Sequence, residues 1–183
     1  MDLLTEKLHT WEDLMRMSGK GRYELIHGVI FEMSPAGEEH GYIALNIGSI
    51  IRNFVKEHKL GIATGAETGY KLTSNPDTVR APDVAFKSNK RLSEGGLSKG
   101  YSTVIPELVV EVNSPADSYI KVLKKVNEWL KAGVIEVWLI DPEDRSIAVY
   151  DSSGNYRILD GNQVLEGGDI LPGFKCKLDD VFN

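Results

Sequence analysis

The sequence predicts an α/β fold in which a central mixed β-sheet is flanked by α-helices. Two stretches with the apolar spacing of helices are each bordered by short apolar runs typical of strands, and this alternation is characteristic of α/β proteins. The chain has 183 residues, of which 42% are hydrophobic, and a chain of this size usually forms one domain with a continuous core. We therefore expect a single domain over residues 1–183, with a helical extension at residues 1–20.

The N-terminal part of the chain predicts two helices separated by a hairpin. Residues 10–17 have the pattern of a short amphipathic helix. The sequence GRYELIHGVIFEM contains two extended runs that meet at His27-Gly28, which indicates a β-hairpin. From His40 to Leu60 the apolar residues recur at mostly helical spacing, so a long helix is expected to end near Gly61.

The middle of the chain predicts strands and a polar loop. A strand-like segment, GIATGAETGYKLT, is followed by a turn at Asn75-Pro76-Asp77 and by the strand APDVAF. Residues 87–100 are polar and rich in glycine, so we expect a mobile loop. Four basic residues in this loop could contact a nucleic acid backbone, although such loops are more often simply solvated: Lys87, Lys90, Arg91 and Lys99.

The stretch PELVVEVNSP, residues 106–115, is an apolar strand interrupted by the carboxylate of Glu111. After it, Ser114, Pro115 and Asp117 supply a hydroxyl cap, a proline and an acid suited to a first helical turn. We expect this helix to start at Ser114 and to run to about Gly133. Strands follow at VIEVWLID, SIAVYD and YRILD, and the last two are expected to form a hairpin around residues 152–155.

Composition restricts the classes of partner and compartment. A formal charge of −6 argues against a protein that coats nucleic acid electrostatically, although local basic patches could contact phosphates where a cation offsets nearby carboxylates. The single cysteine, Cys176, excludes an internal disulfide and a cysteine-based zinc site. The N-terminal residues lack the pattern of a secretion signal and no apolar run is long enough for a membrane span, so we expect a cytoplasmic protein.

Three carboxylates occupy strand-like positions: Glu24 in YELI, Asp83 in PDVAF and Glu111 in LVVEV. A lone acid in a strand more often lies at a sheet edge or pairs with a lysine than binds a metal. Several buried acids at one place repel each other and are poorly solvated, so they need a cation. Carboxylate oxygens favour magnesium or manganese, and the sequence therefore predicts a candidate metal site.

A lysine in the following helix is the candidate partner of these acids. Lys125 is the lysine closest to the apolar arc of the helix, to which Trp129 belongs. Because the helix leaves the end of the Glu111 strand, the amine could lean back toward that carboxylate and stabilise negative charge or orient water. The alternative is a lysine that covers the apolar face with its aliphatic stem. We assign Trp129 and Trp138 to the core, without chemistry.

Five stretches occur in a fixed order along the chain: RYELIHG, MSPAGEEHG, APDVAF, PELVVEVNSPADS and KKVNEWLKAGVIEVWLIDPE. Together they resemble the bacterial putative restriction endonuclease family, a branch of the PD-(D/E)xK nuclease superfamily. The resemblance extends from about residue 22 to residue 182 and implies a restriction-endonuclease-like fold. It also implies hydrolysis of phosphodiester bonds, with DNA as the expected substrate and a homodimer as the expected assembly.

The resemblance also assigns roles to the candidate acids and the lysine. It implies magnesium or manganese bound by Asp83, of the Pro82-Asp83 pair, and by Glu111, with Lys125 positioning or helping to deprotonate the attacking water. Asn113 stands where the simplest motif has its lysine. In the resembled family that lysine is commonly carried by the next helix, which here corresponds to Lys125.

Three further residues receive weaker assignments. Glu24 corresponds to an additional acid found early in many of these nucleases, and it would be an outer ligand or a water anchor. His40 matches a histidine that recurs in the resembled family and could contact a phosphate or cap the long helix. Lys121 is a further candidate for a phosphate or substrate contact.

Two other functions remain open at this stage. A catalytically inactive module that uses the nuclease fold for nucleic acid binding or assembly is favoured by Asn113 and by the negative charge. A glycoside hydrolase with two catalytic carboxylates would need an open sugar cleft, and nothing in the sequence indicates one.

Overall fold

The structure of the chain, a computed structural model, describes residues 8–115 and 117–183. Residues 1–7 of the predicted extension, and residue 116, lie outside the described residues. Within them the chain forms five helices: α1 (Trp11–Met15), α2 (Glu38–Glu57), α3 (Asn89–Gly95), α4 (Tyr119–Ala132) and α5 (Asp179–Phe182). The strands are β1 (Tyr23–Ile26), β2 (Val29–Glu32), β3 (Gly61–Gly65), β4 (Tyr70–Thr73), β5 (Thr78–Arg80), β6 (Val84–Ser88), β7 (Leu108–Val112), β8 (Glu136–Asp141), β9 (Ser146–Asp151), β10 (Tyr156–Leu159), β11 (Val164–Glu166) and β12 (Lys175–Lys177).

Six strands form the central sheet in the order β10-β9-β8-β7-β6-β3. The sheet is mixed, because β7 and β8 are parallel and joined by α4, whereas its other neighbours pair antiparallel. Alternate residues of β7 point to opposite faces of the sheet. Val110 packs in the cluster that contains Ile47 of α2, and Val109 packs in the cluster that contains Trp129 of α4. The predicted α/β fold with a central mixed sheet flanked by helices is confirmed.

A second sheet of four antiparallel strands has the order β2-β1-β5-β4. Helix α1 covers one of its faces, where Leu14 packs against Leu25 and Val79. The hairpin between β1 and β2 turns at His27 and Gly28, whose φ angles of 49° and 80° are both positive. Positive φ at both central residues is the geometry of a tight two-residue hairpin turn, and the predicted hairpin is confirmed.

The predicted loop over residues 87–100 is wrong for residues 87–95, whereas residues 96–100 form neither helix nor strand. Strand β6 continues to Ser88, and α3 follows directly because the Ser88 hydroxyl caps it by accepting from the Arg91 N–H. Lys87 is buried, and its Nζ donates to Ser102 Oγ at 3.1 Å. Arg91 donates to the carbonyl oxygens of Ile105 and Gly133. Two of the four basic residues proposed as phosphate contacts therefore hold the fold instead.

Two further boundaries differ from the prediction. Helix α4 begins at Tyr119 rather than Ser114, because the Asp117 carboxylate accepts from the Ser114 N–H and closes a turn before the helix. The segment GIATGAETGYKLT is interrupted between β3 and β4, where Glu67 has a positive φ of 67°. None of the helices in the described ranges is long and apolar enough to cross a membrane.

Candidate active site

The two predicted metal ligands lie at neighbouring strand ends of the central sheet. Strands β6 and β7 pair antiparallel, with Val84 opposite Val110. Extending this register by one residue sets Asp83 opposite Glu111. Residues directly opposite in an antiparallel pair have Cβ atoms about 5 Å apart. The sheet therefore brings together two acids that are far apart in the chain.

Glu111 is buried and receives a hydrogen bond on each oxygen from helix α4. Lys125 Nζ donates to Oε2 at 2.7 Å, and Trp129 Nε1 donates to Oε1 at 2.8 Å. Lys125 and Trp129 are four residues apart and so share one face of the helix. The predicted approach of the Lys125 amine to Glu111 is what the structure has. The assignment of Trp129 to the core without chemistry was incomplete, because its indole also holds the carboxylate.

Burial and charge shape the protonation of this pair. Burial raises the pKa of Glu111 to about 7; Lys125 opposes this shift and the charge of Asp83 adds to it. Burial would lower the pKa of Lys125, but the negative charges of Glu111 and Glu24 outweigh it and the pKa is raised. Lys125 is therefore a cation at neutral pH, and any added positive charge would favour the ionised form of Glu111.

Asp83 is held by a backbone N–H and by a histidine. The Val112 N–H donates to Oδ2 at 2.8 Å, and His40 Nε2 lies 3.3 Å from the same oxygen. Burial acts to raise the pKa of Asp83, but the contacts with His40 and Val112 and the charge of Lys125 prevail and lower it. The hydrogen bond with Asp83 raises the pKa of His40. His40 lies in the first turn of α2 and not at its N-cap, which is Gly37.

Glu24 lies in a separate ionic network at the margin of the site. The pairing of Leu25 with Val79 sets Glu24 beside Arg80, which donates to it at 2.7 Å. The Ala81 N–H donates to its other oxygen at 3.2 Å. Arg80 also donates twice to Glu128 of α4. Arg80 and Glu128 were missed by sequence reasoning, since only the register of β1 with β5 reveals their contact with Glu24.

Lys121 is exposed on α4, one turn before Lys125, and joins none of the ion pairs found in the part of the chain that the structure describes. Asn113, at the motif position of the lysine, donates through Nδ2 to Asp141 Oδ2 at 3.0 Å. This amide therefore ties the end of β7 to the end of β8. The amine next to Glu111 is therefore that of Lys125 on α4.

The side chains at this site fit an open magnesium or manganese site better than a metal site in which the protein supplies every ligand. Within residues 8–115 and 117–183, no group of three His, Cys, Asp or Glu side chains is arranged to hold a metal. Magnesium, however, is commonly bound by one or two carboxylates, with water and substrate phosphate completing the shell. Asp83 makes both of its contacts through Oδ2. Each carboxylate oxygen has two lone pairs, so Glu111 also retains acceptor capacity.

Comparison with known proteins shows which family the chain belongs to. The model of the Uma2 family, described as putative restriction endonuclease, matches residues 6–179. The crystal structure of a putative nuclease belonging to DUF820 from Anabaena variabilis ATCC 29413 matches with a TM-score of 0.81 and 22% sequence identity, over 94% of this chain and 97% of that chain. No curated protein matches the chain. The structural match shows the shared fold, and the family match covers nearly the whole sequence. The chain belongs to the Uma2 family of putative restriction endonucleases.

Proposed function

We propose that this protein is a magnesium-dependent endonuclease that hydrolyses phosphodiester bonds in DNA. One observation carries the proposal: Asp83 and Glu111 lie at neighbouring strand ends, and the amine of Lys125 lies 2.7 Å from Glu111. Two carboxylates and an amine in a partly buried site form the set needed for metal-assisted phosphodiester hydrolysis. Membership of a putative restriction endonuclease family supports the same class of activity.

In this proposal each side chain has a defined task. Asp83 and Glu111 would hold the metal, which when bound supplies Lewis acidity and a water of lowered pKa. His40 and the Val112 N–H hold Asp83 in its ionised form. Lys125 is protonated at neutral pH because its pKa is raised, so it donates a hydrogen bond to the attacking water or to a phosphoryl oxygen. This argues for a positioning role of the amine and against its use as a general base.

Glu24 acts at one remove from the metal in this scheme. Its carboxylate is occupied by Arg80 and by the Ala81 N–H, and Ala81 directly precedes the Pro82-Asp83 pair. We assign Glu24 to fixing the backbone that leads into Asp83.

We further propose magnesium as the metal, DNA as the substrate, a homodimer that addresses two strands, and a cytoplasmic location. Sedimentation of the purified protein tests the homodimer directly.

The activity is tested with Asp83→Asn and a matched surface variant, Asp179→Asn. Supercoiled plasmid and circular single-stranded DNA are each incubated with the proteins in magnesium, in manganese and in EDTA. Wild type and Asp179→Asn are expected to cleave DNA only with metal. Removal of one acidic ligand should lower the rate by roughly 100-fold or more, by analogy with the loss of one electrostatic group at other sites. Equal cleavage by wild type and Asp83→Asn would refute the assignment.

A non-catalytic module is the second candidate. Both oxygens of Glu111 already accept hydrogen bonds from Lys125 and Trp129, an arrangement that satisfies a buried acid without any metal. Such a module should bind nucleic acid or a partner and show no metal-dependent cleavage in any form. The same plasmid assay, combined with a binding measurement on wild type, separates the two functions.

A further inference from the structure

An exposed apolar stripe lies on strand β2, beside the candidate active site. Val29, Phe31 and Met33 are 44%, 46% and 41% exposed, respectively. Val29 and Phe31 alternate within β2 and therefore point to the same face of the strand, and Met33 follows directly after it, where its N–H donates to the Arg22 carbonyl oxygen. Strand β2 is an edge strand of the four-stranded sheet and pairs with β1 on one side. We call these three residues the β2 stripe.

The register places the stripe on the face of the sheet that carries Glu24. Phe31 pairs with Glu24, and Val29 pairs with Ile26. Cross-strand partners project to the same side with Cβ atoms about 5 Å apart. The opposite face, which carries Leu25 and Ile30, is covered by α1. The stripe is therefore continuous with the network of Glu24, Arg80 and Glu128 and not with the core.

Helix α4 reaches the same network through Glu128. Glu128 bonds to Arg80 at 2.7 Å, and its other carboxylate oxygen lies 4.0 Å from Nε2 of His27 at the hairpin turn. Lys121 lies seven residues before Glu128, which is about two turns, so it projects from the same face of the helix. The network of Glu24, Arg80 and Glu128 thus lies between the exposed apolar residues of β2 and the face of α4 that carries Lys121 and Lys125.

We propose that the β2 stripe binds unpaired bases of the substrate strand, with Phe31 stacking on a base and Lys121 near the phosphate backbone. This inference rests on the proposed nuclease function and narrows its substrate to nucleic acid with single-stranded character. An intact duplex presents phosphates outward and keeps its bases stacked inside, so it offers nothing apolar to this stripe. A single strand offers both a π-face and a charged backbone, and these complement Phe31 and Lys121, respectively.

The proposal is tested by binding, without cleavage, in buffer containing EDTA. Fluorescence anisotropy compares a short labelled oligothymidine, a duplex of the same length, and an abasic chain with the same number of phosphates. Phe31→Ala should weaken binding of oligothymidine by roughly 5- to 150-fold, the range expected for loss of one base–aromatic stack. It should leave the duplex and the abasic chain unchanged, and Phe31→Trp should retain the affinity of wild type.

Tyr156→Ala is the matched control, because Tyr156 is a 63% exposed aromatic residue on β10, an edge strand of the central sheet and not of the sheet that contains β2. This variant should bind all three ligands as wild type does. Equal binding of oligothymidine by wild type and Phe31→Ala overturns the proposal, as does an equal loss for the abasic chain. A wild-type dimer that Phe31→Ala dissociates in sedimentation also overturns it, since the stripe would then bind a second copy. Phe31-dependent strand binding without cleavage by any form in magnesium would sustain the base contact while defeating the nuclease activity.

Discussion

The two ends of strand β7 each have a buried glutamate, and only one of these glutamates lies in the candidate active site. Glu107 immediately precedes the strand and Glu111 lies near its other end; both are less than a tenth exposed. Both belong to the stretch PELVVEVNSP, and both pair with a basic side chain. Burial and an ion pair are therefore insufficient to distinguish a structural acid from a functional one.

The partners of the two glutamates differ in where they come from. Glu107 accepts from the Ser88 N–H and from the Ser88 hydroxyl and forms an ion pair with Arg91, whose guanidinium donates to the carbonyl oxygens of Pro106 and Gly133. These contacts join α3, β6 and the loop before β7. Glu107 therefore links these elements at one end of the sheet.

Glu111 accepts only side-chain donors from α4, and a second acid stands opposite it. Asp83 adds to the burial that raises the pKa of Glu111 to about 7. A cation brought to this end of the sheet would relieve that repulsion. At the Glu107 end one acid is paired with Arg91, whereas at the Glu111 end Lys125 faces the charges of both Glu111 and Asp83. Under the proposed function, a second, converging acid is what distinguishes the active-site end of the strand from the end at Glu107.

Removal of Arg91 should give the largest loss of stability. Arg91→Met leaves Glu107 buried without its cation, and breaking such a pair typically costs about 3–5 kcal/mol. Urea unfolding should show this decrease in the free energy of unfolding, whereas cleavage per folded molecule should stay at the wild-type level. Arg52→Met, an exposed arginine on α2, is the control and should change stability little. A cost below about 1 kcal/mol would mean that the two serine contacts suffice.

Removal of Lys125 should lower the cleavage activity more than the stability, the reverse of what is expected for Arg91. Lys125→Met leaves Glu111 able to take up a proton, since its pKa is already raised to about 7, so the loss of stability should be smaller than for Arg91→Met. The rate of metal-dependent plasmid cleavage should fall by roughly 100- to 1,000-fold, as when one electrostatic donor is removed from an active site. Lys124→Met, the exposed neighbour on α4, should cleave as wild type does. Full activity in Lys125→Met would remove the amine from the mechanism.

Local patterns in the sequence single out three groups that the structure brings close together. Glu111 interrupts an apolar strand, Asp83 follows a proline at the start of another, and Lys125 borders the apolar arc of the next helix. Each signal depends on neighbours within one element, and strand pairing then brings the elements together. The resemblance to a nuclease family added the expectation that these groups act jointly.

The groups that were missed depend on contacts between distant parts of the chain. Arg80 reaches Glu24 across the pairing of β1 with β5, a separation of 56 residues. Arg91 was assigned to a mobile loop, because a polar, glycine-containing segment gives no sign that its guanidinium caps carbonyl groups of other elements. Trp129 had a sufficient explanation as a core residue, and that explanation concealed the hydrogen bond of its indole. Propensity and periodicity do not register such long-range polar contacts.

Metal binding should respond to one end of β7 and not to the other. At a concentration 100 times the dissociation constant, manganese should stabilise wild type by about 2.7 kcal/mol. For a chain of this size that corresponds to an increase in Tm of roughly 5–10 °C. Asp83→Asn and Glu111→Gln should abolish the increase in a thermal melt, whereas Glu107→Gln should retain it. An equal increase in all variants would indicate that the metal binds elsewhere.

The smallest effect is expected from the indole that holds Glu111. Trp129→Phe removes the 2.8 Å hydrogen bond to Glu111 Oε1 and leaves most of the ring volume in place. Trp138→Phe is a matched control, because Trp138 is equally buried and donates at 2.9 Å to Glu136, a less buried carboxylate. Both variants lose ring volume and one hydrogen bond to a glutamate, so the difference between their losses of stability isolates the effect of burial.

A hydrogen bond to a charged group contributes about 1.5–3 kcal/mol, and more of this is lost where water cannot replace the donor. Urea unfolding should therefore show that Trp129→Phe costs about 1 kcal/mol more than Trp138→Phe, and cleavage should fall in the first variant alone. Equal costs, with activity intact in both, would reduce Trp129 to a core residue and leave Lys125 as the sole support of Glu111.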